Sequence, residues 1–183
     1  PAFDRLPFYV EFFLEDLIAL EGGFVDDPAD RGGATNFGIT FRIFQKFARK
    51  VLGVEPTLEN LRNMSREDAV KIYTAGYWSR YNAHQIEDSN LALLYADFVV
   101  NSGPRNAGRV LQQTLNDLGG NVSVDGVVGS GTIGALNALD SREIYRRLRE
   151  NRLRFVEKIV ENDPTQERFI NGWRNRINHF DAY

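Results

Sequence analysis

Cysteine is absent from this 183-residue chain, so neither a disulfide framework nor a thiolate metal site can be built. Histidine is scarce: His84 and His179 are the two present, and neither has a local ligand partner, so a zinc site is not expected. The glycines at 22, 23, 32, 33 and 38 are not followed by the G-K-[ST] of a phosphate-binding loop. No serine sits in a nucleophile elbow. A long hydrophobic run is missing as well. Residues 1–20 are apolar but broken by Asp4, Glu11, Glu15 and Asp16, and they lack a basic start, so they read as neither a signal peptide nor a transmembrane helix. Pro1 implies that an initiator or leader residue is missing from this chain. No fixed-period repeat or low-complexity segment occurs. Together these absences exclude thiol, P-loop and serine-nucleophile chemistries, and no metal or cofactor is expected.

What is present is a chain able to bury a substantial core. Hydrophobic residues make up 43% and Phe occurs thirteen times, which argues for a folded globule of one domain or one domain with a closely packed extension. The net charge of −3 conceals an asymmetry. Residues 142–176 carry ten Arg and Lys against six Asp and Glu, a net +4, leaving −7 elsewhere. Because the acids are interspersed with the bases, this stretch reads as a solvated helix laced with ion pairs, and nucleic acid is not an expected partner.

The segment from Glu21 to Thr40, EGGFVDDPADRGGATNFGIT, is the unusual one. It places four acidic side chains, five glycines and two threonines in twenty residues, between two apolar helical patterns. Upstream, Val10, Phe13, Leu14, Leu17 and Ile18 recur at helical spacing, and the same register puts Glu21 on the apolar stripe. A carboxyl desolvated there has a raised pKa and can hold the proton a general acid needs. Gly22 and Gly23 end that helix, and the turns that follow, with a possible hairpin of short strands, can fold Asp27 or Asp30, and Thr35, back opposite Glu21.

EGGF, DPADRGGAT and NFGIT resemble the amino-terminal signature of glycoside hydrolase family 108, the lysozyme-like N-acetylmuramidases that include phage endolysins and bacterial secretion activators. Phe24 stands where tyrosine is usual and Phe37 where tryptophan or tyrosine is common, which keeps the ring and removes a polar group. The resemblance implies Glu21 as the catalytic acid. The spacing of Glu21, Asp30 and Thr35 is also similar to the Glu, Asp, Thr arrangement of phage-type lysozymes, with Thr35 one residue closer. DFVVNSGP resembles a second block of the family and implies that Asn101 and Ser102 face the cleft; helix capping is the alternative for both. LQQTLNDLGG and VDGVVGSGTIGALNAL resemble the small helical peptidoglycan-binding module that accompanies the catalytic part, with Ser130-Gly131 where a proline and a lysine are usual.

The rest of the chain reads as helices. Thr40 caps one from Phe41 to Leu52, ended by Gly53; Thr57 starts a short one; Ser65 with Asp68 forms a capping box for a helix running toward Tyr77. Tyr73, Tyr77 and Trp78 are the aromatics best suited to stack on a sugar ring and hydrogen-bond to its hydroxyls, with helix-end packing as the alternative. Ser89 caps the hydrophobic helix over Leu91, Leu94, Tyr95, Phe98 and Val99. Pro104 opens the next, Asp125-Gly126 makes a tight turn, Thr132 begins another helix, and Asp140 and Asp163 cap the last two. Trp173 falls on an inner stripe with Phe169, Ile170 and Ile177.

The fold expected is mainly α and lysozyme-like, with a short β-hairpin or turn region after the first helix and a closely packed C-terminal helical extension. Its expected division is a catalytic region over 1–103 and a peptidoglycan-binding-like region over 104–183. The expected activity is general-acid cleavage of peptidoglycan between N-acetylmuramic acid and N-acetylglucosamine. Glu21 is the acid, Asp30 or its rival Asp27 the second group (Asp26 is a weaker candidate), and Thr35 orients water. Asp27, Asn36, Tyr73, Tyr77, Trp78, Asn101 and Ser102 are the candidate substrate-binding residues. A lytic transglycosylase and a non-catalytic wall-binding or secretion-associated protein are the alternatives. The expected partner is the glycan strand, met by a monomer without stable membrane insertion. Such a protein, made in the cytoplasm, reaches the periplasm or wall through a holin-type or dedicated export route.

Overall fold

Two consecutive residues with positive φ, Phe37 at 52° and Gly38 at 76°, give the chain its tightest reversal. They form the two-residue loop of a hairpin whose strands are Thr35–Asn36 (β1) and Ile39–Thr40 (β2), paired antiparallel with Thr35 opposite Thr40 and Asn36 opposite Ile39. Left-handed conformation at both loop positions matches the natural twist of short hairpins. The computed structural model describes residues 22–26 and 33–180. The helix expected before Gly22 lies outside them.

The chain divides into two units, residues 1–80 and 81–183. In the first, the hairpin runs directly into α1 (Phe41–Phe47), and Thr40 Oγ1 accepts the Ile43 N–H at 3.2 Å, capping the helix. The uninterrupted helix expected from 41 to 52 changes pitch: residues Ala48–Leu52 form a π-helical turn before Gly53, at φ 67°, ends it. The wider turn leaves both Phe47 and Ala48 buried. Thr57 caps α2 (Leu58–Arg62) and Ser65 caps α3 (Arg66–Tyr73), the latter with both bonds of a capping box. A second π-helical turn, Thr74–Trp78, follows α3. Ile39, Phe44, Leu61, Ala69 and Ile72, all inaccessible, form the core of this unit. Burying each large apolar side chain contributes about 1.5–3 kcal/mol.

The second unit opens with a short 3-10 turn, Ala83–Gln85. Asp88 then caps α4 (Ser89–Ser102) by accepting the Leu91 N–H at 2.9 Å. Ser89, the cap expected from the sequence, is the first helical residue, because the residue before it has the longer acceptor and the extended backbone a cap needs. Pro104 opens α5 (Pro104–Asp117). α6 (Ser130–Ala138) starts two residues before Thr132, and Asp140 caps α7 (Ser141–Asn162). A 3-10 segment, Pro164–Phe169, precedes α8 (Ile170–Asn178). α4 packs against α5 and α7, α7 against α5 and α8. Trp173 lies half-buried on the Val156, Ile170 and Ile177 cluster, stacked on Phe169 at 5.7 Å between ring centroids.

Among the described residues, no helix is long and apolar enough to cross a membrane. The architecture is thus mainly helical with one small antiparallel sheet, as expected.

Candidate active site

The segment that the sequence singles out is held at both of its described ends. Val25 and Thr35 form an antiparallel bridge through two 2.8 Å backbone hydrogen bonds, so the chain on either side of residues 27–32 is tied together. Glu21, Asp27 and Asp30 themselves lie outside the described residues. Thr35 is half-buried on β1, and among the described residues its hydroxyl makes no hydrogen bond.

Asn36 is 3% exposed. Its amide donates to Leu61 O at 2.8 Å and Arg62 O at 3.2 Å, the last carbonyls of α2; Leu61 O also accepts from Met64 N at 3.3 Å. Asn36 therefore fastens the hairpin to a helix end. Arg62 also lies over the Phe24 ring at 4.8 Å, a cation–π contact that holds the other arm of the segment.

Tyr73 completes the clamp. Its hydroxyl donates to Phe37 O at 2.7 Å, so α3 grips the hairpin at its left-handed turn. The Tyr73 ring is 1% exposed and lies 5.4 Å from that of Tyr77, tilted by 34°. Tyr77 is half-buried, and Trp78 is 4% exposed. Of the three aromatics, Tyr77 is the one with substantial open surface. At Gly76, between Tyr73 and Tyr77, a Cβ would press on the Phe47 ring at 3.2 Å.

The structure therefore brings Thr35, Asn36, Tyr73 and Tyr77 into one neighbourhood around the hairpin. Asn101 and Ser102 belong to the second unit, half-exposed in the last turn of α4. There Ser102 O accepts the Asn106 amide at 3.0 Å, and Gly103 N donates to Val99 O at 2.9 Å.

The sequence reading missed an ionic cluster. Asp97 on α4 is 2% exposed, accepts from Arg152 Nη2 at 2.6 Å, and is gripped from the other side by Arg176 at 3.0–3.3 Å. Arg152 is fully buried on α7, and among the described residues its Nε and Nη1 have no hydrogen-bond partner. Burial pulls the Arg152 guanidinium below its usual range, with Asp97 opposing that pull. The one sequence signal available was an arginine in register with Ile144 and Leu148 on the inner face of α7. Among the described residues no group of His, Asp or Glu is arranged to hold a metal ion.

A helical chain carrying a small hairpin gripped by helix ends and a tyrosine hydroxyl is a lysozyme-like architecture. Residues 14–103 match Glycosyl hydrolase 108, and residues 106–178 match a family described as a predicted peptidoglycan domain. Its first matched stretch, just under half of the chain, is similar to the glycosyl hydrolase 108 family. It is similar to a solved structure of Brucella abortus SagA, at 26% identity and a TM-score of 0.73, over 94% of this chain and 91% of that one. No curated protein matches the sequence. The two matched regions together support a peptidoglycan-acting hydrolase.

Proposed function

We propose that this protein is an N-acetylmuramidase that cleaves the glycosidic bond between N-acetylmuramic acid and N-acetylglucosamine. The observation that carries the reading is the glycosyl hydrolase 108 match over residues 14–103, which contains the acidic, glycine-rich segment and its clamp. In this mechanism a protonated Glu21 delivers its proton to the glycosidic oxygen as the bond breaks. Asp30, or Asp27, then either activates water or stabilises the oxocarbenium-like transition state, and Thr35 orients the attacking water. The chain's own contribution is positional. The Val25–Thr35 bridge, the Asn36 anchor and the Tyr73–Phe37 bond fix the backbone flanking the acidic segment, which lowers the cost of orienting its groups at the moment of reaction. Tyr77, more open than Tyr73 and Trp78, offers a ring to a sugar face.

The matched peptidoglycan domain supports the wall polymer as the partner, engaged by residues beyond the catalytic part. A phage lysin or a secretion-associated wall enzyme fits this design, reaching the wall by a holin-type or dedicated route.

Mass spectrometry of fragments released from purified peptidoglycan by the wild-type chain and by Glu21→Gln tests the reading. Hydrated fragments with reducing N-acetylmuramic ends from wild type, and none from the variant, are expected. Anhydro ends would assign a lytic transglycosylase. A folded wild type that releases nothing, on walls a control lysozyme digests, would assign a wall-binding role. Equal activity in the variant would remove Glu21 from the mechanism.

A further inference from the structure

Within the second unit, the loop between α5 and α6 has no regular secondary structure yet is held at many points. Asn116, on α5, clasps Val122 from both sides: its amide donates to Val122 O at 2.9 Å and its carbonyl accepts from Val122 N at 2.9 Å. One turn earlier Gln112, 1% exposed, donates to Asp125 Oδ1 at 2.9 Å, Val127 O at 3.0 Å and Thr132 Oγ1 at 3.2 Å, and accepts from Gly126 N at 2.8 Å. Gly126, at φ 79°, lies so close to α5 that a Cβ on Gly108 would come within 2.6 Å of its carbonyl oxygen. Asn82 adds a bond to Val128 O at 2.8 Å. The loop is a preformed surface.

It encloses an open cavity of about 420 Å³, within the size range of small-ligand sites. Asn121, Ser123 and Ser130 line it with amide and hydroxyl groups, and Val127, 69% exposed, supplies an apolar rim. Asp125 is the one charged residue of the lining. Its Oδ1 is taken by Gln112 and by Val127 N at 2.9 Å, whereas among the described residues its Oδ2 has no partner. Arg105 and Arg109 run their aliphatic stems past Gly126 and are not part of the lining.

The composition of this cavity selects among the parts of a wall polymer. No aromatic ring lines it, so it lacks the stacking surface sugar sites use. Its fixed charge is negative, which repels anionic wall polymers and favours a cation. A cationic group on an alkyl chain, flanked by peptide amides, matches all three elements: carboxylate, amide and hydroxyl groups, and apolar rim. We propose that the cavity binds the free ammonium end of a diamino acid in an uncross-linked peptidoglycan stem peptide. Asp125 Oδ2 is its ion-pair partner, Asn121, Ser123 and Ser130 meet the peptide groups, and Val127 covers the alkyl chain. This rests on peptidoglycan being the partner and names the part of it that the second unit reads. It also gives the enzyme a preference for walls whose stems are not yet cross-linked.

Isothermal titration of the full chain with a soluble disaccharide-tripeptide ending in a free diamino acid tests the proposal, beside the same compound N-acetylated on the side-chain amine. The expected result is at least fivefold tighter binding of the free amine, with the difference shrinking as salt is added. Asp125→Asn keeps an oxygen to accept from Val127 N and Gln112 while removing the charge, and it is expected to bind both compounds equally. Equal binding of the two compounds by wild type, no binding of either, or an undiminished preference in the variant would each overturn the site. Cleavage of peptide-free glycan strands by the wild type, measured in parallel, reports on the muramidase reading alone. Lost discrimination with intact cleavage sinks the cavity proposal, and the reverse pattern sinks the muramidase.

Discussion

Removing the carboxylate of Asp97 should be among the most damaging single changes in the second unit. Asp97 neutralises two cations at once, Arg152 at 2.6 Å and Arg176 at 3.0 Å, and Arg152 is inaccessible to water. In Asp97→Asn the Arg152 guanidinium stays buried against the Phe98 ring, 5.1 Å away, with two of its nitrogens already unpartnered and a second arginine nearby. Stranding a buried charge in this way costs about 3–5 kcal/mol. For a chain of this size each kcal/mol lowers Tm by about 2–4 °C, so a fall of about 6–20 °C is expected. Urea and thermal unfolding followed by circular dichroism provide the assay. Asp97→Leu combined with Arg152→Met removes both buried charges and leaves Arg176, whose side chain is 19% exposed, to turn toward water. The double variant should recover more than half of the single variant's loss. A single variant within about 1 kcal/mol of wild type, or a double variant at least as unstable as the single, would refute the argument, since either places the cost somewhere other than the stranded cation.

Asn36→Leu is expected to lose about 1–3 kcal/mol, because the Arg62 carbonyl loses its side-chain donor and the buried Leu61 carbonyl keeps only the longer bond from Met64 N, at 3.3 Å, and a denaturant titration reads this directly. Activity on peptidoglycan should fall with it beyond the fraction unfolded, as the hairpin loses its anchor. Gly108→Ala places a Cβ 2.6 Å from the Gly126 carbonyl and should cost about 1–3 kcal/mol, with the loss of stability measured by the urea midpoint. The Val127 N–H, and after it the Gln112 amide, hold the Asp125 carboxyl below its ordinary range. A carboxyl whose pKa is lowered by folding adds stability above its unfolded value, about 3.9, and loses it as pH falls through the folded value. The stability gap between wild type and Asp125→Asn should therefore be constant near neutrality and close below about pH 4; a gap that persists in acid would contradict this.

Much of the scaffold could be read from neighbouring residues alone. The caps at Thr40, Thr57, Ser65 with Asp68, and Asp140 all use bonds spanning three residues, so their signal lies within one turn of chain. The π-helical turns at 48–52 and 74–78 escaped, because apolar spacing reports an average period and not a local change of pitch. Asn36 illustrates the harder case. A polar residue in a glycine-rich motif looks the same whether it meets a ligand or a helix end, and its partners Leu61 and Arg62 are 25 and 26 residues away. Trp78 has a similar history: its indole resembles a sugar platform in sequence and is 4% exposed in the fold. Arg152 was illegible for the same reason, since only Asp97, 55 residues distant, explains an arginine on an apolar stripe.

Gln112 and Asn116 stand one helical turn apart on α5, and their side-chain amides hold the following loop at Val122, Asp125, Gly126 and Val127. Neither carries a formal charge, so counterions do not weaken this fastening and protons do not switch it over the ordinary range. Apart from the Asp125 carboxylate, the fastening is thus built from neutral groups that salt screens little, in the dense polyelectrolyte of a cell wall as in dilute buffer. Salt then acts mainly on what the loop binds, through the same Asp125 carboxylate, and less on whether the loop is formed.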